Sequence, residues 1–201
     1  MPVPIRVGLS LNLALKRISL HGYSHIFKVD GDVELPEDYL ANLLAKSSPV
    51  AGAGCAFVIR RDFFEKVFGV YPINLCDDGY ILAKATAFMG KIPPVYDGEK
   101  CNLRFSFSSN FSRIFYYGIE HYKWGDYLLV IVLNHLVSVF KRKESPLVVL
   151  KRMVFYATGF IYARLKNVRK YEWAESYRKV RKISFLSRIT VGLRKKLTSL
   201  N

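Results

Sequence analysis

The chain has 201 residues, of which 51% are hydrophobic and 23% are charged, a balance that excludes a disordered tail, a collagen-like repeat and a disulfide-stapled miniprotein. Its formal net charge of +15 is unevenly placed, because residues 1–140 carry 14 basic and 13 acidic side chains while residues 141–201 carry 17 basic and 3 acidic ones. A near-neutral body with a basic C-terminal third indicates an anionic partner, such as a membrane surface, a nucleic acid or a phosphorylated ligand.

The first half of the chain alternates strand and helix patterns, which predicts an α/β fold. We predict helices over residues 9–20, 36–46, 61–68 and 77–89, and strands over 25–29, 55–60 and 92–96. Residues 52–54 are small and are predicted to form a loop between two of these elements. The last strand contains two prolines, so we expect it at an edge of the sheet.

The second half of the chain predicts helices only, over residues 111–124, 127–142, 146–166 and 171–188. Residues 127–140 are apolar but too few to span a bilayer comfortably, and three basic residues interrupt the stretch 146–165. A peripheral membrane contact is therefore favoured over a transmembrane helix. Aromatic residues beside the basic ones fit equally well a plain helical core with solvated basic faces.

The three cysteines are Cys55, Cys76 and Cys101, an odd number at wide spacing. This pattern favours neither a disulfide framework nor a structural zinc site, and it fits a reducing compartment. The first 17 residues lack a small-residue cleavage site after an apolar core, so no signal peptide is predicted.

A first candidate site follows the strand predicted over residues 25–29. Asp30 and Asp32 flank Gly31, and two carboxylates at this spacing can hold a hard divalent cation together with substrate phosphates. Gly31 would let a ligand approach the backbone. The alternative is an ordinary turn, since Asp-Gly is a common turn dipeptide.

A second candidate site is the acidic pair Asp77 and Asp78, which opens the helix predicted over residues 77–89. Acidic residues at a helix N-terminus are often no more than favourable partners of the helix dipole. The order of features is less ordinary: an Asp-x-Asp motif after a strand, a small-residue loop, a strand ending in two arginines, and then this pair.

These segments resemble those of family 2 glycosyltransferases, which have the nucleotide-diphospho-sugar transferase (GT-A) fold. The matching segments are Ile26–Pro36, with the Asp-x-Asp motif and a proline-led helix, Gly52–Arg61, with the loop, strand and basic pair, and Asp77–Gly90, with the acidic pair and its helix. The first acid of that pair is usually Glu in the family and is Asp77 here. The segment from Tyr117 to Gly125 also resembles the helical tail of some members, so the likeness covers about residues 9–165.

The resemblance implies a truncated GT-A-like α/β catalytic part over residues 1–108, followed by a helical basic extension over residues 109–201. It implies that Asp30 and Asp32 hold Mg²⁺ or Mn²⁺ against the diphosphate of a nucleotide-sugar donor. Asp78 would be the general base that takes a proton from a sugar or lipid-linked acceptor, and Asp77 would help to orient that acceptor. The reaction would invert the anomeric centre.

Only 29 residues precede Asp30, whereas such enzymes place their nucleoside-binding units before this motif. A different start of the chain, a second chain or second copy that supplies the missing half, and a degenerate remnant all remain open.

Three functional classes remain open from the sequence. The first is a metal-dependent glycosyltransferase in the cytoplasm, held peripherally on an anionic membrane through residues 141–201. The second is a nucleic-acid-binding protein, which the acidic clusters and the lack of a reading motif disfavour. The third is a non-catalytic partner subunit.

Overall fold

The computed structural model describes residues 3–98, 102–103, 111–133 and 145–198, which form eight helices and five short strands. Both counts refer to those ranges alone. In chain order the elements are α1 (Val3–Arg17), β1 (His25–Val29), β2 (Val33–Glu34), α2 (Tyr39–Ala45), β3 (Val50–Ala53), β4 (Ala56–Arg60), α3 (Arg61–Val67), α4 (Asp77–Met89), β5 (Asn102–Leu103), α5 (Phe111–Trp124), α6 (128–133), α7 (Pro146–Leu165) and α8 (Ala174–Thr198).

The main sheet has three strands in the order β1-β4-β3, and both pairings are antiparallel. Strands β2 and β5 form a separate two-stranded pair. The mixed α/β class and the helical second half are confirmed, but the GT-A-like parallel sheet is not seen, since no parallel pair occurs among the strands of the described ranges. Two consecutive strands joined by a short turn, such as β3 and β4, can only pair antiparallel.

Two predictions about strands were wrong. Residues 52–54 were predicted as a loop, yet Gly52 and Ala53 lie in β3. Glycine is required at position 52 because β4 approaches it closely: a Cβ on Gly52 would lie 2.5 Å from the carbonyl oxygen of Ala56. The segment 92–96 is irregular rather than a strand. Its two prolines lack the N–H groups that a ladder needs, although the Pro94 carbonyl still accepts a bond from Gly52 N at 2.8 Å.

The core of the first half lies on both faces of the sheet. Strand β4 sends Phe57 and Ile59 to one face and Ala56 and Val58 to the other, and all four are at most 2% exposed. Helices α1, α3 and α4 cover the first face and α2 covers the second. A strand buried on both faces reads as a continuous apolar run, which explains why β4 was predictable.

The helices of the second half pack on one another and on the first half. Helix α5 crosses α7 at Gly118 and Gly159, where a Cβ on Gly159 would lie 1.9 Å from the backbone oxygen of Phe115. Helix α8 packs on α4 through a cluster that includes Trp124 and Trp173. The helical half is therefore anchored directly beside the N-terminus of α4.

The observed helix bounds agree best with the predicted ones where the sequence has a clear stop signal. Helix α4 ends before Gly90, whose φ is +67°, and α3 and α5 also occupy their predicted ranges within one residue. Helix α1 begins earlier than predicted and α8 runs on to Thr198. The helix predicted over 127–142 is seen over 128–133, and its remaining residues 134–142 lie outside the described ranges.

Candidate active site

The site forms where the end of β1 meets the start of α4. Side chains two residues apart on a strand point to the same face, so Lys28 and Asp30 face the same side at the end of β1. The turn between β3 and β4 lies beside them, because Asp30 N donates to the carbonyl oxygen of Cys55 at 2.9 Å. Gly54 in that turn lies close to Asp78, which would be 3.8 Å from a Cβ at Gly54.

The ammonium group of Lys28 joins these three segments. Its Nζ atom lies 2.5 Å from Asp30 Oδ1 and 2.7 Å from Asp78 Oδ1, and it donates to the Gly54 carbonyl oxygen at 3.4 Å. The Lys28 side chain is 9% exposed, compared with 39% for Asp30 and 24% for Asp78. One buried cation therefore connects the Asp-x-Asp motif to the acidic pair, although 46 residues separate Asp32 from Asp78 in the chain.

Two opposing effects act on Lys28. Burial lowers the pKa of its ammonium group, but the charges of Asp78 and Asp30 and the hydrogen bonds to them outweigh burial, so the pKa is raised. Lys28 therefore stays charged at neutral pH. The sequence contained a signal for this contact, the strand spacing between Lys28 and Asp30, but nothing in it showed that Asp78 would be the second partner.

The two members of the acidic pair have different surroundings. Asp77 is 8% exposed and accepts a hydrogen bond from the Tyr71 hydroxyl at 2.9 Å. Asp78 remains partly open to solvent, and burial together with the nearby charges of Asp77 and Asp30 raises its pKa to about 6, although Lys28 opposes the rise. A carboxylate with that pKa is mostly ionised at pH 7 and is a stronger base than an ordinary one.

Tyr71 is a second residue of the site that sequence reasoning missed. Burial and the charges of Asp77 and Asp78 raise the pKa of its hydroxyl, which therefore remains a hydrogen-bond donor. Its backbone is fixed by Asn12 of α1, whose side chain donates to Tyr71 O at 2.8 Å and accepts from Tyr71 N at 2.7 Å. The Tyr71 hydroxyl thus holds the Asp77 carboxylate, and it also lies 3.4 Å from Asp78 Oδ1, the oxygen that accepts from Lys28.

Asp32 lies in the turn after β1, where Val33 N donates to Asp30 O at 3.3 Å. In the described ranges its carboxylate makes no hydrogen bond or ion pair, and no group of three or more His, Cys, Asp or Glu side chains there could enclose a metal ion. Mg²⁺ and Mn²⁺ are often held by one or two carboxylates plus substrate phosphates rather than by protein alone. Asp32 and the partly exposed Asp30 fit that donor set.

A cleft of about 310 Å³ lies between α4 and the turn that joins β3 to β4, and none of Asp30, Asp32, Asp77 and Asp78 lines it. Its walls include Gly54 and Gly79, the neighbours of Asp78 in space and in sequence, and Trp124 from α5. A Cβ on Gly79 would lie 2.7 Å from the Trp124 ring, so the glycine is what lets the aromatic ring close one side of the cleft. A larger cavity of about 820 Å³ lies between α4 and residues 169–176 and is lined by none of the four predicted site residues.

Of those four residues, Asp30 and Asp78 contact one ammonium group, Asp77 accepts a hydrogen bond from Tyr71, and Asp32 lies in the turn after β1. Comparison of the chain with protein-family models, with curated proteins and with solved structures gave no match. The chemistry of the site is therefore inferred from its own residues.

Proposed function

We propose that this chain is an inverting, metal-dependent glycosyltransferase that resembles family 2 enzymes. It would transfer a sugar from a nucleotide-diphospho-sugar to an acceptor hydroxyl, in the synthesis of a polysaccharide, a glycolipid or a protein-linked glycan. The observation that carries this proposal is the convergence of Asp30 and Asp78 on Lys28 Nζ, at 2.5 and 2.7 Å. This shared cation brings the Asp-x-Asp motif and the acidic pair into one site, as the family resemblance implies.

The order of elements also supports the proposal. The strand β1, the hairpin β3–β4 and the helix α4 occur in the order that the family resemblance implies, and the motifs lie at their ends. The GT-A fold has a parallel sheet, whereas the three strands of the described sheet pair antiparallel. The GT-A assignment is therefore part of the proposal.

Asp78 would act as the general base. An acceptor hydroxyl is a weak nucleophile, so its oxygen attacks the anomeric carbon as its proton passes to the Asp78 carboxylate. The bond from the anomeric carbon to the diphosphate oxygen breaks, and the electron pair leaves with the nucleoside diphosphate. Attack from the opposite face inverts the anomeric centre.

The other residues hold the reactants and the base in place. Asp30 and Asp32 would hold Mg²⁺ or Mn²⁺, which when bound neutralises charge on the leaving diphosphate. Lys28 fixes Asp78 beside Asp30, and Tyr71 fixes Asp77. The acceptor would approach through the cleft lined by Gly54 and Gly79, since these two glycines are neighbours of Asp78 although Asp78 itself does not line the cleft.

The rate of transfer should depend on the protonation of Asp78. Because the pKa of Asp78 is raised to about 6, kcat should fall about tenfold per pH unit below pH 6 and level off above it. Lys28 lowers the pKa of Asp78, so Lys28→Met should move the inflection to higher pH. The measurement is a pH–rate profile for both proteins.

Lys84→Met provides the matched control for that profile, since Lys84 stacks on the rings of Phe68 and Tyr80 and contacts neither site carboxylate. Its inflection should stay at the wild-type value. An unchanged inflection in Lys28→Met would contradict the assignment of the base.

The proposal is tested by release of nucleoside diphosphate from a panel of UDP- and GDP-sugars by the full chain, with and without Mn²⁺. We expect release that needs the metal and an acceptor and that disappears in Asp32→Ala. Absence of release with every donor, or release that persists equally in Asp32→Ala, would overturn it.

A further inference from the structure

Helix α7 has one buried side and one exposed apolar side. Its buried residues include Val149, Tyr156, Phe160 and Ala163, whose spacing follows one face of a helix. The opposite side carries large apolar residues that are between 41% and 76% exposed. They are Leu147, Leu150, Val154, Phe155, Ile161 and Leu165. We call this set the α7 apolar face.

The polar residue within this face is satisfied inside the helix. Thr158 donates its hydroxyl hydrogen to the Val154 carbonyl oxygen at 2.8 Å, four residues back. A hydroxyl bonded in this way can enter an apolar environment at little cost, because it leaves no donor unpaired. Lys151 lies among these apolar residues near the start of the helix, and Tyr162 and Arg164 are exposed near its end.

The length and exposure of α7 suit a lipid surface better than a protein core. Twenty residues rising 1.5 Å each give a helix of about 30 Å, and by length and composition alone α7 could even cross a membrane. Only 28% of its most apolar window is buried, whereas the core helix of a soluble protein would be mostly buried. Large apolar patches of this kind usually mark an interaction surface.

The basic residues around the α7 apolar face indicate that its partner is an anionic lipid surface. Residues 145–170 contain six basic residues and no acidic one. Lys151 and Arg164 belong to α7, and Lys166, Arg169 and Lys170 follow its C-terminus. Long basic side chains can reach headgroups while their stems lie along the apolar surface, so this arrangement is complementary to anionic lipid.

The attachment of α7 to the rest of the protein leaves this face available. Gly118 and Gly159 bring the backbones of α5 and α7 into contact, because a Cβ at either position would lie about 2 Å from an oxygen of the facing helix. The two helices therefore associate through glycines and the buried side of α7. Of the α7 apolar face, Phe155 also stacks on Phe111 of α5, with the ring centroids 5.0 Å apart, and it remains 41% exposed.

We infer that the α7 apolar face lies in the acyl layer of a membrane whose lipids include anionic ones. The sequence predicted a peripheral membrane contact for this region and an anionic membrane surface as partner of residues 141–201, and the structure adds the named residues of an exposed apolar face. The inference does not depend on the proposed sugar transfer, since its test uses no donor or acceptor.

The test is flotation of the full chain with vesicles of phosphatidylcholine, with and without phosphatidylglycerol, at low salt and at about 1 M NaCl, where the Debye length is about 3 Å. We expect binding that is strengthened by phosphatidylglycerol and partly retained at high salt. The double variant Leu150→Glu/Val154→Glu should reduce partitioning at least about tenfold at both salt concentrations, because two apolar side chains that would enter the acyl layer become charges.

The matched control is Leu13→Glu on α1, since Leu13 is 54% exposed and Leu150 is 55% exposed. It should partition like the wild type. Complete loss of wild-type binding at high salt, an equal loss in both variants, or retained binding in the double variant would each overturn the inference. So would light scattering that showed a dimer broken by the double variant without any vesicle binding, because a second copy would then occupy the face.

Discussion

Asp78→Asn is expected to lower the rate of sugar transfer by about 10² to 10⁴-fold, the usual contribution of a positioned general base. Asparagine has the same size as aspartate but cannot accept the proton of the acceptor hydroxyl. Lys28 keeps its contact with Asp30 at 2.5 Å, so the donor-binding side of the site should persist. Steady-state kinetics together with donor binding should show kcat reduced and donor Kd unchanged.

Asp62→Asn is the matched control for this substitution. Asp62 is a carboxylate in the first turn of α3, 64% exposed and paired with Arg60 outside the site. Loss of the Asp62 charge should leave kcat within about twofold of the wild-type value, as for most surface changes. Wild-type turnover in Asp78→Asn would mean that another group removes the proton.

Gly159→Ala is expected to reduce the free energy of unfolding by about 2 kcal/mol, despite the better helix propensity of alanine. Its methyl group would lie 1.9 Å from the Phe115 backbone oxygen, well inside contact distance. Because that atom belongs to a helix backbone, no side-chain rotation can relieve the overlap. Helix α7 must move away from α5 instead, and chemical denaturation with fluorescence detection measures the loss.

Gly31→Ala is the control for the glycine effect, since a Cβ there meets nothing within 4 Å and its φ lies outside the left-handed region. It should change stability by less than about 0.5 kcal/mol. Equal stability of Gly159→Ala and wild type would show that the α5–α7 crossing is looser than described.

The predictable parts of the fold are those whose signals are local. Helix α4 has an acidic first turn and a glycine stop, and β1 and β4 are short runs of β-branched and aromatic residues bounded by turn residues. Strand β3 was missed because its small residues have no strand propensity; they are selected by the close approach of Phe57 to Gly52. Strand direction and pairing are also tertiary properties, so the antiparallel order could not be read from the pattern.

In the site, too, local signals were found from the sequence and tertiary contacts were missed. Asp30, Asp32, Asp77 and Asp78 were found because acidic motifs at element ends have characteristic sequence contexts. Lys28 and Tyr71 were missed as site residues because their roles depend on contacts across 50 and 6 residues of chain, respectively. The strand spacing places Lys28 beside Asp30, but no local pattern connects Lys28 with Asp78 or Tyr71 with Asp77.

The central claim is that the carboxylates following β1 bind the diphosphate of a sugar nucleotide through a divalent cation. Isothermal titration calorimetry with UDP- and GDP-sugars, with and without Mn²⁺, tests it most directly. We predict that at least one donor binds the wild type and Asp78→Asn only when Mn²⁺ is present, and that Asp32→Ala abolishes this binding. Binding that needs no metal and survives in Asp32→Ala, or no binding of any donor, would contradict the claim.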